Sequence, residues 1–521
     1  MEYQSIPFSQ RLRLSKLAEL KAVGYQPRSI KEEIRQNLIA KLKRREPIFE
    51  GIHGYEDTVI PDMQRALLSK HDIILLGLRG QAKTKMARLM VELLDEYIPY
   101  IAGTELNDDP FNPISALGKQ LLAEKGDETP IAWLHRSERY FEKLATPDVT
   151  VADLIGDVDP IKAATLKLPY SDERVLHYGM IPRANRCIFV INELPDLQAR
   201  IQVALFNILQ EGDVQIRGFK LRLPLDIQFV FTANPEDYTN RGSIVTPLKD
   251  RIDSQILTHY PKSIEIGKKI TQQEAEIKPE QKEKIFVPEI AKDLVELIAV
   301  VARESEFTDT KSGVSARLTI SAYENLLSTA ERRLLLNNES KTFVRVSDFW
   351  GVLPAITGKV ELVYEGEVEG TGVVAVKLVG RAIKQQLLRY FPDPSAEMKK
   401  KGKTSNVYQP ILDWFSLNNT LEILNDSSDK EYKSQLLRVE GLAHLVKQKY
   451  SQENEATQFF LMELLLHGLA EYALLSKQFL SVSTAFQDLL HKTFTQSETV
   501  HTSNKFLDED DDDHFSTGRF R

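Results

Sequence analysis

Residues Gly77 to Thr84, reading GLRGQAKT, bring together groups that can hold a polyphosphate. Backbone N–H groups of a glycine-containing turn that opens a helix point at anionic oxygens. Gly77, Gly80, Gln81, Ala82 and Lys85 line that turn with Lys83 and Thr84. The Lys83 ammonium would add a positive charge on the β- and γ-phosphates. The Thr84 hydroxyl would take one coordination position on Mg2+. The usual spacing is Gly-x4-Gly-Lys-Ser/Thr, and Ala82 stands where the second glycine is expected. Its Cβ is costly if the position needs a positive φ and tolerable at a helix start.

Four other segments carry polar groups that belong to the same chemistry. The apolar run Cys187 to Ile191 ends in Asn192 and Glu193. Glu193 is placed to polarise an attacking water, as a carboxylate just past a buried strand. The competing reading is a helix cap ahead of Pro195. The run Phe229 to Ala233 ends in Asn234, whose amide can hold the water or the γ-phosphate from the opposite side; Asn-Pro is also a common turn. Arg251, in TPLKDRID, would act as an arginine finger if the chain forms a ring. Otherwise it is an exposed arginine paired with Asp250 or Asp253. Arg317, in Ser315-Ala-Arg317, opens a helix and either contacts phosphate or sits on the surface.

These residues need elements to position them. Ile73 to Gly77 reads as a buried strand and Lys85 onward as a helix. IPYIAGTEL is a second strand, and residues 129–160 a strand followed by a helix. Residues 160–183 read as irregular. Residues 195–212 form an amphipathic helix with Ile201, Ala204, Leu205, Ile208 and Leu209 on one face, stopped by Gly212. A hairpin around Gly218 follows, then the strand that ends at Asn234. Continuous rather than alternating apolar runs suit strands covered on both faces. Strands alternating with helices predict a doubly wound α/β parallel sheet with ligands at its carboxyl edge.

From about residue 262 the pattern is helical. The division predicted is a basic helical extension over 1–48, an α/β nucleotide-binding core over 49–261 and a helical lid over 262–391. A helical region over 392–505 and an acidic disordered tail over 506–521 complete it. The first of these reads as solvated. Residues 392–405 have linker composition, and the acidic run Asp508 to Asp513 repels itself.

At 521 residues the chain needs more than one core. A formal charge of −8 argues against non-specific nucleic-acid binding. A single cysteine, Cys187, excludes an internal disulfide framework and fits a reducing compartment. The N-terminus has no apolar stretch of signal-peptide length. In the most apolar stretch, from Phe459, the residues Glu463, His467 and Glu471 share a helical face, which predicts an amphipathic helix and not a membrane span. The expectation is a soluble cytoplasmic protein.

In their order and separation, GLRGQAKT, CIFVINEL, FVFTANPE, TPLKDRID and SARLTISA resemble AAA+ ATPases, in particular the magnesium chelatase I-subunit and MoxR-like branch. LIGDVDPIKAA and HYGMIPRANRCIFVINELPDL are similar to that branch's helix-2 insert and Walker B region. QEGDVQIRGFKLRLP resembles its hairpin before sensor 1. The resemblance covers residues 50–360. It implies that Gly77, Lys83 and Thr84 are Walker A, Asn192 and Glu193 Walker B, Asn234 sensor 1, Arg251 the finger and Arg317 sensor 2. It implies Mg2+ and ATP as cofactors, a ring homo-oligomer, commonly a hexamer, and motion passed to a partner protein, often one with a von Willebrand A domain. Ala82 and Asn192 depart from the pattern, the latter replacing an aspartate that orients the metal-bound water, so slow hydrolysis is expected. Two other classes compete: an ATP-dependent switch or scaffold with little hydrolysis, and a sigma-54-type transcription activator, for which no GAFTGA-like loop is visible.

Overall fold

Apolar runs rich in β-branched and aromatic residues build the inner strands of the core sheet. In a computed structural model, residues 7–169, 172–216, 222–235, 243–399, 406–479 and 483–489 are described. The turn at Gly218, the end of the 392–405 segment and the acidic run lie outside the described residues. Five parallel strands form the core sheet: β1 (Ile73–Leu76), β2 (Tyr140–Leu144), β3 (Cys187–Asn192), β4 (Ile227–Ala233) and β5 (Ser254–Leu257). Their order is β5-β1-β4-β3-β2. This is the doubly wound parallel sheet that the alternation of strands and helices predicts.

Alternate residues of each strand serve two apolar layers. Phe189, Ile191, Phe229 and Phe231 pack with Ile201, Leu205 and Ile208 of the predicted amphipathic helix. Ile188, Val190, Val230, Ile73 and Leu75 pack on the other face with Met63, Leu67, Met86 and Met90. Both faces are covered, which is why no polar alternation shows in the sequence. Cys187 lies at the start of β3, and burial pushes its thiol up to about 12.

The N-terminal segment departs from the solvated extension expected. Helix Ile30–Arg44, capped by the Ser29 hydroxyl, buries Ile30, Ile34 and Leu38 in the second layer. Its Glu33 takes two hydrogen bonds of 2.7 Å from the guanidinium of Arg139, which is 1% exposed and also donates to the Arg186 carbonyl at 3.0 Å. Losing one member of a buried pair of this kind costs about 3–5 kcal/mol. What looked like a polar face therefore carries an internal ion pair.

Other boundaries also shift. Tyr97–Ile101 is a strand, but it pairs antiparallel with Ile131–His135 outside the core sheet. The segment after it holds a further strand, β2, before the short helix Val151–Leu154. Regular elements occupy much of the described part of 160–183: Asp159 caps helix Pro160–Leu166 by accepting from Ile161 N and Lys162 N at 2.9 and 3.0 Å. Leu176–Tyr178 pairs with Gly156–Val158. The expected hairpin pairs Asp213–Gln215 with Arg222–Pro224.

The described chain forms two compact units, Met1–Ile270 with Lys311–Ala316, and Thr271–Thr310 with Arg317–Arg521. The second unit is mainly helical, with long helices Glu289–Glu304, Arg317–Leu336, Thr371–Tyr390 and Glu455–Glu471. It also carries a three-stranded antiparallel sheet of Leu421–Leu424, Ser483–Gln487 and Ser476–Phe479. Helix Glu455–Glu471 is buried on every side from Phe459 to Leu469, so Glu463 and His467 face no solvent. Glu463 accepts from Val346 N, Ser347 N and the Tyr432 hydroxyl at 2.7, 2.9 and 2.8 Å. Among the described residues no helix is long and apolar enough to cross a membrane.

Asp226, just ahead of β4, accepts from Ile30 N at 2.8 Å. Burial lifts its carboxyl to about 6 from 3.8. A pKa raised in the folded state means that the fold is penalised as pH rises from about 4 through 6. Asp226→Asn keeps an acceptor for Ile30 N without the charge. In denaturant melts it should gain on the order of 1–2 kcal/mol over the parent at pH 8, discounted for partial exposure, and nothing near pH 4.

Candidate functional site

The carboxyl ends of β1, β3 and β4 bring the predicted loop and strand-end residues to one edge of the sheet. Gly77 follows β1 and donates its N–H to the Ala233 carbonyl at 3.1 Å. A Cβ on Gly77 would fall 1.9 Å from Thr258 Oγ1 and 2.2 Å from Gln81 Oε1, so only glycine fits. Gly80 has φ +73°, and its Cβ would meet Ser315 Oγ at 2.1 Å. Ala82 sits at φ +57°, at the N-terminal boundary of helix Lys83–Leu89. The position does need a left-handed backbone, and an alanine holds it. Such a conformation costs a non-glycine residue about 1–2 kcal/mol.

The side chains of Gln81 and Lys85 are turned into the fold. Gln81 Oε1 accepts from Thr258 Oγ1 at 2.7 Å, and its carbonyl accepts from the Tyr55 hydroxyl at 2.9 Å. Burial raises the Tyr55 hydroxyl to about 12, so it remains a donor at neutral pH. Lys85 Nζ donates to the Gly51 carbonyl at 3.3 Å. Their backbone N–H groups are what the loop has to offer an anion.

Lys83 is 7% exposed. Its ammonium donates to the carbonyls of Gly77 and Leu78, the latter at 3.0 Å, and to Asn234 Oδ1 at 2.9 Å. A buried ammonium needs such acceptors. Asn234 thus reaches the loop from the end of β4. Thr84 Oγ1 donates to Asn192 Oδ1 at 3.2 Å, and Thr232 Oγ1 donates to the same oxygen at 3.1 Å. Glu193 N donates to Thr232 Oγ1 at 3.1 Å. Glu193 has φ +55° ahead of a 3-10 turn, Leu194–Asp196, and its side chain makes no capping bond there.

Asn192 also donates, from Nδ2, to Glu142 Oε1 at 2.7 Å. The other oxygen of Glu142 accepts from Arg88 Nε at 2.9 Å and the Tyr140 hydroxyl at 3.0 Å. The bond to Glu142 holds the Arg88 guanidinium above its ordinary value. Burial, then the Glu142 charge, raises the Tyr140 hydroxyl. Nothing in the sequence marks Glu142, because its strand YFEKL mixes charged with aromatic residues and lies in a segment that reads as a strand followed by a helix. Thr232 had a signal, a lone hydroxyl in the apolar run FVFTA. Tyr55 and Thr258 had none.

Two predicted residues stand apart from this set. Arg251 ends helix Thr246–Arg251, with its guanidinium 5.0 Å from the centre of the Phe206 ring. It donates to Gln210 Oε1 at 2.9 Å and to the Pro247 carbonyl at 2.7 Å, not to Asp250 or Asp253. Arg317 is the first residue of helix Arg317–Leu336 in the second unit.

The residues fit a nucleotide phosphate with a hard cation. Gly77 and Gly80 form a cradle that a Cβ would fill. Thr84 and Asn192 present neighbouring oxygens of the kind Mg2+ takes while it keeps several waters.

No protein-family model matches the chain. In sequence it is similar to the 38 kDa magnesium-chelatase subunit of Cereibacter sphaeroides, 25% identical over 201 residues, covering 37% of this chain and 52% of that protein. It is also similar to a magnesium-chelatase subunit ChlI homolog of Methanocaldococcus jannaschii, 24% identical over 201 residues, covering 38% of this chain and 52% of that protein. The chain spans about half the length of the curated relatives it matches. Among solved structures, the complex between magnesium-chelatase subunits BchI and BchD aligns with a TM-score of 0.32 at 19% identity, over 62% of this chain and 98% of that one. The S. cerevisiae Hsp104–ADP complex aligns with a TM-score of 0.34 at 13% identity, over 62% of this chain and 52% of that one.

The left-handed alanine gives a direct test. Ala82→Gly relieves the Cβ clash at φ +57° and adds chain entropy to the unfolded state. The net expectation is a stabilisation of up to about 1 kcal/mol, read as a higher melting temperature.

Proposed function

We propose that the chain binds Mg-ATP at Gly77 to Thr84 and hydrolyses it as an AAA+ ATPase of the magnesium chelatase I-subunit and MoxR-like type. The observation that carries this reading is the convergence of Lys83 with Asn234 and of Thr84 with Asn192, each pair within hydrogen-bond distance. Lys83 would exchange its carbonyl partners for β- and γ-phosphate oxygens, while Gly77, Gly80, Gln81, Ala82 and Lys85 present the loop backbone. Mg2+ would neutralise charge on the phosphate oxygens, with Thr84 and Asn192 on its protein side. Glu193 accepts the proton of the attacking water at its carboxylate, and Asn234 orients that water.

Arg251 acts on the γ-phosphate of a neighbouring copy in a ring, and Arg317 contacts phosphate in its own chain. The ring passes motion to a partner protein, with a separate von Willebrand A-domain protein as the candidate. Hydrolysis is slow, because the Asn192 amide orients water without the negative charge of an aspartate. That same amide favours a second reading, a nucleotide-dependent switch with little turnover. Multiple-turnover phosphate release above the Glu193→Gln background selects the first.

Lys83→Ala should remove measurable ATP binding in an equilibrium assay; unchanged affinity would end the proposal. Glu193→Gln should bind ATP normally and lose about 100-fold or more in phosphate release. Arg251→Ala should also retain binding while turnover falls about 1,000-fold. A mixture of Arg251→Ala with Lys83→Ala chains should recover part of the activity, since the finger of one copy serves the site of the next. No recovery would argue against a shared site.

A further inference from the structure

We propose that Glu142 is the positioning residue that lets Asn192 stand in for an aspartate at the metal. This rests on the nucleotide reading above and goes beyond it.

The two ends of an amide are similar in shape, and the neighbours decide which one faces the site. A carboxylate only accepts. Glu142 Oε1 at 2.7 Å from Asn192 Nδ2 therefore fixes the NH2 toward β2 and leaves Oδ1 toward Thr84 and Thr232. Strand register makes the contact possible: Leu144 is opposite Asn192 and Glu142 opposite Val190, so Glu142 and Asn192 are diagonal neighbours on one face. Glu142 is itself immobilised, with Oε2 held by Arg88 and the Tyr140 hydroxyl. Arg88 lies on the helix that carries Lys83 and Thr84, so the clamp ties the loop's helix to β2.

The arrangement also explains why an amide occupies position 192. An aspartate there would face the Glu142 carboxylate across the space now spanned by one hydrogen bond, setting acceptor against acceptor and charge against like charge. The negative charge usually carried at the end of the strand has moved one strand over, where it acts through the amide. Partners that orient a metal's ligands typically change metal affinity 10- to 100-fold when lost.

The test is a charge exchange on the full chain, read as ATP affinity with Mg2+ and with EDTA. Glu142→Gln keeps the side chain's shape but turns an amide toward Asn192 or toward Arg88. It should lose about tenfold of the Mg2+-dependent gain in affinity, with ATP binding in EDTA unchanged. Asn192→Asp alone should lose it too, through repulsion with Glu142. The double variant Glu142→Gln/Asn192→Asp should regain it, a sign reversal that a purely structural role would not give. An undiminished gain in Glu142→Gln, or a double variant no better than Asn192→Asp, overturns the inference. Should Glu142→Gln alone not fold, Asn192→Asp with and without it still makes the comparison. If the parent chain binds no ATP even in EDTA, both readings fall. If it binds ATP and the exchange has no effect, only this one does.

Discussion

A buried ammonium must be surrounded by acceptors, and this requirement organises the first unit. Lys83 finds them in two loop carbonyls and in Asn234, which come from the ends of two neighbouring parallel strands. The loop cannot open without exposing that charge, and β4 cannot slip in register without withdrawing Asn234. Parallel strands make this economical, because all five finish on one edge and deliver their terminal residues to one place.

A second polar set sits beside the first and is held by different means. Asn192 uses both ends of its amide, accepting from Thr84 and Thr232 and donating to Glu142. Thr232 in turn receives the N–H of Glu193, so the backbone at the strand end is fixed by a hydroxyl from β4. Every link joins neighbouring strands or the loop's helix, and every donor has an acceptor. Networks satisfied in this way specify one arrangement of side chains. The left-handed angles at Ala82 and Glu193 are tolerated within it.

The strands and the loop were legible because their signals are local. Cys187 to Ile191 is an unbroken apolar run and Phe229 to Ala233 is interrupted only by Thr232; both end on polar residues, and the loop lies between a strand and a helix. Three signals did not carry. The helix from Ile30 looks polar because the partners of its buried Glu33, the Asp95 N–H and Arg139, lie far along the chain. Strand β2 mixes Glu142 and Lys143 with aromatic residues, so at the sheet's edge it reads as a helix fragment. Glu463 and His467 mimic a solvated stripe, although tertiary contacts to Val346, Ser347 and Tyr432 bury that face. In each case a charge is paid for by a distant partner, and periodicity has no access to distance.

The pairing of Glu33 with Arg139 reaches into the order of events during synthesis. The two residues are 106 positions apart. The helix around Glu33 leaves the ribosome well before β2 exists, and until then its carboxylate lacks its cation and has the Asp95 N–H, 62 residues on, as its nearest partner in sequence. Completing that ion pair is therefore a non-local step, although the helix's apolar face packs on residues 49–94 that follow it closely. A nascent chain halted before residue 139 would keep the apolar neighbours of Ile34 and Leu38 but leave Glu33 without its cation.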